Sequence, residues 1–246
     1  MINKMGRLVQ YATFRRKSQQ PLDSSSGDGY YVEQSTHLSS YPDSIRMKTL
    51  FVLATIAFAV LFSCRTTAQE MVKEPSTEKS FPAEIKITYG GQDHALKLTG
   101  LTVRKKFIIK VYAVAHYMEG SLPAGMKEAL QEVLTDGKAK QLTMDFSRDV
   151  TVEQIQGAYR DGFKENATAE ELKAIQPVID KFLAYFTREV KENDQFILRW
   201  LPGGVIIPII AGEEKPPLVD KTFARVLWSI WFGDDSIVDR DKLIKR

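Results

Sequence analysis

Residues 98–118, LTGLTVRKKFIIKVYAVAHYM, form the stretch that decides the fold. From Phe107 onward the side chains alternate between two faces, which is the period of a β-strand. One face is apolar and consists of Phe107, Ile109, Val111, Ala113 and Ala115. The other face is mixed and consists of Ile108, Lys110, Tyr112, Val114 and His116. A strand face that places Tyr and His between aliphatic residues is typical of the wall of a half-polar cavity, and equally of a solvent-facing sheet surface.

The sequence around this stretch predicts a sheet of several strands. Alternating or apolar segments predict strands at residues 83–89, 94–104 (interrupted at Gly100), 107–118 and 140–147. A later hairpin is predicted from residues 195–201 and 205–210, which flank Pro202-Gly203-Gly204. Glycines at the tip of such a hairpin supply the positive φ angles that tight turns require.

Helical periodicity appears after most of the strands. A short helix is expected at residues 126–134, and Thr151 and Thr168 each begin a capping box at the start of a longer helix. Pro177 is expected to kink the second long helix or to restart it near Gln176. Asp220 is expected to cap the last helix. Because the strands cluster and do not alternate strictly with helices, the predicted class is α+β, an antiparallel sheet with helices packed on one face.

The N-terminal quarter of the chain does not read as part of this domain. Residues 1–46 are polar and lack apolar periodicity, so we expect them to be disordered or a wrongly included extension upstream of the true start. The apolar run at residues 50–62 is shorter than the roughly 20 residues that span a bilayer. Residues 47–68, which begin at Met47, are therefore predicted to be a secretory signal peptide that is cleaved after Ala68.

Cys64 offers a second processing route, because the sequence Leu-Phe-Ser-Cys that ends there approximates a bacterial lipoprotein box. Lipidation of Cys64 is the one route by which we expect the protein to associate with a membrane. Either route implies export, to the periplasm or the outer membrane of a Gram-negative bacterium. Residues 69–82 are expected to be a polar leader that acts as a tether, and residues 83–246 to be the folded domain.

Charge and composition exclude several classes of function. The first 68 residues hold 8 of the 34 basic and 4 of the 31 acidic residues, which leaves 26 basic and 27 acidic residues in the exported part. A near-neutral chain with no basic stripe argues against nucleic-acid binding. The single cysteine excludes disulfides and a cysteine-based metal site. Phosphate-binding loops, dinucleotide-binding glycine patterns, nucleophile elbows and HExxH zinc motifs do not occur after residue 68, and we expect neither a cofactor nor a metal.

The order of several motifs resembles the chalcone isomerase-like family in its short bacterial form. TVRKKF followed by KVYAVAHYM resembles the family's central hairpin, with Gly100, Arg104, Phe107, Lys110-Val111-Tyr112 and Tyr117-Met118 at the matching positions. MDFSRDVTVEQIQGAYRDGFKEN, QFILRWLPGGVIIPIIAG and FARVLWSIWFG resemble the first long helix with its preceding strand, the late hairpin and the last helix. The resemblance implies an open-faced β-sandwich, a curved antiparallel sheet under a layer of helices, with a ligand cleft between them.

The resemblance also bears on catalysis. The plant enzyme of this family closes a chalcone to a flavanone with an Arg before the central strand, a Thr on it, a Tyr and an Asn on the next helix, and a Thr on the last helix. Only the Arg is matched, by Arg104. The other positions correspond to Tyr112, to the neighbourhoods of Gln154 and Asp161, and to that of Ile230. The resemblance therefore argues against a true chalcone–flavanone isomerase.

Other members of the family bind fatty acids without catalysis, and there the cleft Arg and a central-strand Tyr hold the carboxylate. The resemblance implies that Arg104 and Tyr112 form this pair, with Tyr117 and Tyr159 as further candidate ligand contacts. On a straight strand Arg104 and Tyr112 would lie about 26 Å apart. They can meet only if the chain folds back near Lys105-Lys106, and neither lysine suits a tight turn.

Three hypotheses follow for the function. The first is an exported protein that binds a fatty acid or similar amphipathic carboxylate. The second is an isomerase or intramolecular lyase on an unknown substrate, with Tyr112 or Tyr159 as acid. The third is a non-catalytic structural or interaction protein with a filled cleft. His116 is interpreted as a structural histidine in preference to a catalytic base, and core packing is the competing interpretation of Tyr112 and Tyr117.

Overall fold

A computed structural model describes residues 69–245. The predicted signal peptide at residues 47–68, the predicted start at Met47 and the predicted lipidation site Cys64 all lie outside the described residues. The strands are β1 (Met71–Lys73), β2 (Ser80–Pro82), β3 (Glu84–Tyr89), β4 (Gln92–Lys106), β5 (Ile109–Glu119), β6 (Lys140–Phe146), β7 (Gln195–Leu201), β8 (Val205–Ile210), β9 (Glu213–Glu214) and β10 (Leu218–Val219). The helices are α1 (Met126–Leu134), α2 (Val152–Asn166), α3 (Ala169–Ala184) and α4 (Lys221–Phe232), followed by a 3₁₀ turn at Arg240–Leu243.

Eight strands form one antiparallel sheet in the order β10-β8-β7-β6-β5-β4-β3, with β9 paired to β8. Strands β3 to β6 are neighbours in chain order, with α1 between β5 and β6, and α2 and α3 are inserted between the neighbouring strands β6 and β7. The predicted α+β class is confirmed, as is its arrangement as an open-faced β-sandwich with a curved antiparallel sheet.

The two faces of the sheet support different layers. The face that carries Val114, Leu142 and Trp200 packs with buried residues of all four helices in the main core. The opposite face packs Ala113, Ala115 and Tyr117 with Phe81 of the short β1–β2 ribbon in a smaller second core. Tyr112, Val114 and His116 of the mixed face are therefore covered by helices, and the solvent-facing interpretation is wrong for these three residues. Ile108 of the same predicted face is exposed, and Lys110 donates to the carbonyl of Ser76.

The helix starts follow the sequence closely. Thr151 and Thr168 both accept a hydrogen bond from the backbone three residues later, and Gln154 and Glu171 bond back, so both predicted capping boxes are confirmed. Pro177 neither ends nor restarts its helix, because α3 runs unbroken through it. The expected restart near Gln176 is wrong, and packing of the buried face of α3 outweighs the one lost backbone hydrogen bond.

Two further expectations about the backbone need correction. The tether expected at residues 69–82 is wrong, because β1 and β2 pair with each other and bury Phe81. The strand expected to be interrupted at Gly100 continues through it with a local register shift. A side chain at Gly100 would collide with the backbone of Leu243, so glycine there lets the C-terminal turn pack against β4.

Candidate ligand-binding site

A cavity of about 680 Å³ lies between the central strands and α2. One wall comes from β4, β5 and β6, and the facing wall is one side of α2, with contributions from β7, α4 and the C-terminal segment. Its apolar surface is formed by Ile109, Val111, Met144, Phe146, Val150, Ile155, Ala158, Phe196, Ile230 and Ile237. The size and the mostly apolar lining are those of a small-molecule site.

Arg104 and Tyr112 lie directly opposite each other on β4 and β5, and both line the cavity. The chain folds back at Phe107 and Ile108, between the paired residues Lys106 and Ile109. The predicted convergence is therefore confirmed, but the turn lies beyond the lysines, and the strand expected to start at Phe107 starts at Ile109.

A register shift beside this pair explains a departure from the predicted faces. Arg104 pairs with Tyr112, and Lys105 pairs with Lys110, which leaves Val111 as an extra residue on β5. Such a bulge interrupts the strict alternation of side chains. Val111 and Tyr112 consequently both line the cavity, although simple alternation assigns them to opposite faces.

Arg104 is held at the cavity by the C-terminal segment. Its Nη1 donates to the backbone carbonyl of Ile237 over 2.7 Å, and Ile237 is itself tied to α4 by its amide, which donates to the carbonyl of Ile230. A guanidinium has five N–H donors. One bond to Ile237 orients the group and leaves donors for a second acceptor in the cavity.

Tyr112 is buried, with 8% of its surface exposed, and its hydroxyl meets Trp231 of α4. The indole Nε1 donates to the Tyr112 hydroxyl oxygen over 3.1 Å. Because indole N–H is only a donor, the phenol accepts this bond and keeps its own hydrogen for another acceptor. Burial raises the pKa of Tyr112 to about 12, against the lowering effects of the Trp231 bond and the Arg104 charge. At neutral pH the group is a hydrogen-bond donor.

Tyr159 also lines the cavity, from the α2 side. Its ring lies within 4.9 Å of Phe182 and 5.3 Å of Phe186, centroid to centroid, and an edge-on contact joins it to Trp231. Burial, and secondarily the neighbouring Tyr112, raise the pKa of Tyr159 well above its usual value. Its hydroxyl makes no hydrogen bond to another residue of the described chain, so it is a second neutral donor at the site.

Tyr117 and His116 do not line the cavity. Tyr117 is 1% exposed and belongs to the second core, on the opposite side of the sheet from Tyr112. Its assignment as a ligand contact is therefore corrected, because an odd number of strand positions separates the two tyrosines. His116 faces the helices but packs on Phe232, and its Nδ1 lies 2.6 Å from the Thr99 hydroxyl oxygen. This supports the structural interpretation of His116.

The lining of the cavity carries both signs of charge. Arg104, Lys106 and Arg148 lie on the sheet side. The acidic residues Glu153, Asp161 and Glu165 lie on the α2 side. An anionic headgroup would consequently be drawn to the sheet side and kept away from the helix.

The positions that the family resemblance pointed to are brought together. Arg104, Tyr112, Gln154, Asp161 and Ile230 all line the same cavity. At four of these five positions the residue type differs from that of the plant catalytic set. The cavity thus lies where the resemblance implies, but it is lined by different polar groups.

Sequence reasoning missed the contacts that organise the site. The sequence assigns Trp231 to an apolar helix face, and nothing in the chain order shows that its N–H meets Tyr112. The Ile237 carbonyl was missed because the C-terminal segment reads as a charged tail. Within residues 69–245 no group of three metal-binding side chains occurs, and no helix there has the length and apolarity to cross a membrane.

Comparison with known proteins agrees with this architecture. The family model described as chalcone isomerase-like matches residues 78–245. A crystal structure of a fatty-acid-binding protein from Arabidopsis thaliana matches with a TM-score of 0.57 at 20% sequence identity, over 71% of this chain and 96% of that chain. At this identity the match shows a shared fold. No curated protein matches the sequence. Since the family model covers more than half of its residues, the chain belongs to the chalcone isomerase-like family.

Proposed function

We propose that the protein binds a fatty acid or a similar amphipathic carboxylate in the cavity between the sheet and α2. The observation that carries this proposal is the direct pairing of Arg104 with Tyr112 at a mostly apolar cavity. The matching Arabidopsis structure is of a fatty-acid-binding protein, and this also supports the proposal.

The polar end of the site suits a carboxylate. A guanidinium holds a carboxylate through charge-assisted, often bidentate hydrogen bonds. Arg104 is oriented by the Ile237 carbonyl, and the Tyr112 hydroxyl is fixed as a donor by Trp231. Two donors that converge from neighbouring strands define where the headgroup binds.

The rest of the cavity suits an acyl chain. Aliphatic and aromatic side chains from β5, β6, β7 and α4 line it, among them Met144, Phe146 and Ile230. Each methylene that leaves water for such a surface contributes about 0.8 kcal/mol. Hence a ligand with a long apolar tail gains more here than a short-chain acid.

An isomerase acting on an unidentified substrate is the second candidate. It is favoured by the location of Gln154, Asp161 and Ile230, positions equivalent to the plant catalytic set, in the cavity wall. The raised pKa values of Tyr112 and Tyr159 exclude a role as base near neutral pH, but they keep both phenols protonated, as the acid of this hypothesis must be. Decay of chalcone absorbance in the presence of the protein would support this candidate.

Native mass spectrometry followed by lipid extraction tests the binding proposal. We expect co-purifying fatty acid with the wild-type protein and about a ten- to hundredfold weaker affinity for added fatty acid in Arg104→Ala, because hydrogen bonds to charged groups contribute about 1.5–3 kcal/mol. Arg199→Ala is the matched control, because Arg199 is a partly buried arginine of the same sheet that does not line the cavity. Equal affinities of the two variants would refute the proposal.

We further propose that the protein is exported by residues 47–68, with cleavage after Ala68 or lipidation at Cys64. The support is the short apolar run with its basic flank and the small residues that follow it. N-terminal sequencing of material recovered outside the cytoplasm is expected to begin at Gln69 or to be blocked at Cys64. Recovery of residues 1–46 in that material would contradict the proposal.

A further inference from the structure

The tip of the β4–β5 hairpin exposes a row of large apolar side chains. Phe107 is 91% exposed and Ile108 is 93% exposed, and Ile109 next to them is 48% exposed. They follow one another in the chain and project at the end of the two longest strands among the described residues. Three consecutive exposed apolar residues at a protruding tip are unusual on a protein surface that contacts only solvent.

The backbone of the tip adds a second observation. The loop has two residues, and φ is positive, at 57°, for Phe107 but not for Ile108, as in a type II′ turn. Glycine is the residue that such a position favours, since a side chain there is strained. Phe107 therefore buries little surface and does not suit the backbone of the turn. Residues with strained backbone angles concentrate at functional positions.

Lysines surround the apolar tip. Lys105 and Lys110 are directly opposed across the hairpin, and Lys106 precedes Phe107. Like charges placed opposite each other in a sheet repel. Lys105 and Lys106 are exposed and form no ion pair with any carboxylate between residues 69 and 245, while Lys110 donates to the backbone carbonyl of Ser76. The tip therefore carries positive charge that no described acidic group neutralises.

The tip is continuous with the candidate site. Lys106, Phe107 and Ile109 form part of the cavity wall, next to Arg104. From this geometry we propose that the β4–β5 hairpin docks on an anionic lipid surface, a second route of membrane association that does not require lipidation of Cys64. Phe107 and Ile108 insert among the lipids, the lysines contact the headgroups, and the cavity mouth opens onto the membrane. This docking does not depend on which ligand the cavity binds.

An anionic membrane fits this surface better than a second copy of the chain. A two-fold symmetric contact through the tip would place the lysines of one chain next to the same lysines of the other chain, and these like charges would repel. A bilayer surface with anionic lipid attracts every lysine at once, and aromatic and aliphatic side chains insert readily at its interface. The apolar tip together with the surrounding lysines thus favours a lipid surface as the partner.

A tryptophan placed at the tip gives a local readout. In Phe107→Trp, the native Trp200, Trp228 and Trp231 are buried and contribute a constant background. We expect emission to move to shorter wavelength with vesicles of equal parts phosphatidylcholine and phosphatidylglycerol, and brominated lipid to quench it. Pure phosphatidylcholine vesicles should give a much smaller change. In the same background, Lys105→Gln with Lys106→Gln should weaken partitioning by about fivefold per lysine.

Val219→Trp is the matched control, because Val219 is an exposed apolar residue on the opposite edge of the sheet. Both variants keep residues 50–62, so vesicle binding through that apolar run affects them equally. An unchanged emission at residue 107, or an equal change at residue 219, would overturn the proposal. So would a change at residue 107 that appears without vesicles as the protein concentration rises, because that indicates self-association.

Phe107→Gly separates a membrane role from a structural one. Removing the strained side chain should raise the thermal unfolding midpoint, since glycine suits the positive φ. It should also weaken partitioning into the phosphatidylglycerol vesicles by about tenfold or more, since an inserted aromatic side chain is lost. A lower midpoint with unchanged partitioning would show that Phe107 serves the fold alone.

Discussion

Tyr112 and Tyr117 lie five residues apart on the same strand, and the sheet separates them completely. Tyr112 faces the helices, where its hydroxyl meets Trp231 and borders the cavity. Tyr117 faces the β1–β2 ribbon, where it packs with Phe81 and Leu98 in a closed core. The helix-covered face combines packing with the candidate binding site, and the other face serves packing.

Both faces of the sheet bury polar groups, but the cavity lies beside one of them. On the helix-covered face His116, Lys140 and Tyr112 are all buried. Burial lowers the pKa of His116 and Lys140 and raises that of Tyr112, so it favours the neutral form of each. The face of the second core buries Gln141 and Thr143, which pair with Tyr117 and Ala115 and are hydrogen-bonded to each other. Because the cavity lies on the helix-covered side, substitutions on that face should affect both stability and binding, and substitutions on the other face should affect stability.

The largest effect is expected from Tyr117→Ala. Removing a fully buried aromatic side chain costs about 3–5 kcal/mol of unfolding free energy. Chemical denaturation should show this loss, while the fatty-acid affinity of the protein that remains folded should match that of the wild type. A selective loss of affinity without a loss of stability would place Tyr117 at the site after all.

Acid should destabilise the protein through the helix-covered face. Burial, and secondarily the charge of Lys140, lower the pKa of His116 from 6.5 to about 3. Between these two values the unfolded state binds the proton and the folded state does not, so stability falls as the pH drops through that window. His116→Gln removes the titrating group. Denaturation curves above and below pH 6.5 should show a smaller acid-induced loss in the variant than in the wild type, and an equal loss would contradict the assignment.

Tyr112→Phe should reduce both stability and binding. The Trp231 N–H loses its acceptor, which costs about 1–3 kcal/mol for a buried donor, and the ligand carboxylate loses one donor. Denaturation and fatty-acid titration measure the two losses separately. Trp231→Phe combined with Tyr112→Phe should recover part of the stability and none of the affinity. Recovery of affinity in the double variant would show that the phenol does not contact the ligand.

The smallest expected effect is a gain of stability in the cavity wall. Gly157 lies inside α2, and a methyl group added there meets no atom within 4 Å. Gly157→Ala should raise the unfolding free energy by about 0.8–1 kcal/mol, because glycine is a poor helix former. Its fatty-acid affinity should stay unchanged. Ala158→Trp, which fills the cavity from the same helix, is expected to block binding.

Much of the fold followed from local rules in the sequence. The capping boxes at Thr151 and Thr168 and the glycine turn at 203–204 each satisfy nearby backbone groups, so short-range pattern was enough to predict them. Glycine at 203 and 204 adopts the positive φ that its turn needs. These elements needed no knowledge of distant partners.

The elements that the sequence concealed depend on tertiary contacts or break local rules. The turn at Phe107-Ile108 lacks any turn-forming residue, and the sequence therefore does not distinguish it from a turn at the neighbouring lysines. The ribbon of β1 and β2 is polar except for residues such as Phe81, whose burial needs the sheet beneath it. The bond between Trp231 and Tyr112 joins residues 119 positions apart, and no local pattern encodes it.

The central claim is that Arg104 holds a carboxylate inside the cavity. A fatty acid labelled with ¹³C at its carboxyl carbon reports this directly by NMR during a pH titration of the complex. A guanidinium contact stabilises the anion, so the bound carboxyl group should stay ionised to lower pH in the wild type than in Arg104→Gln. Identical titration of the bound carboxyl carbon in the two proteins would contradict the account.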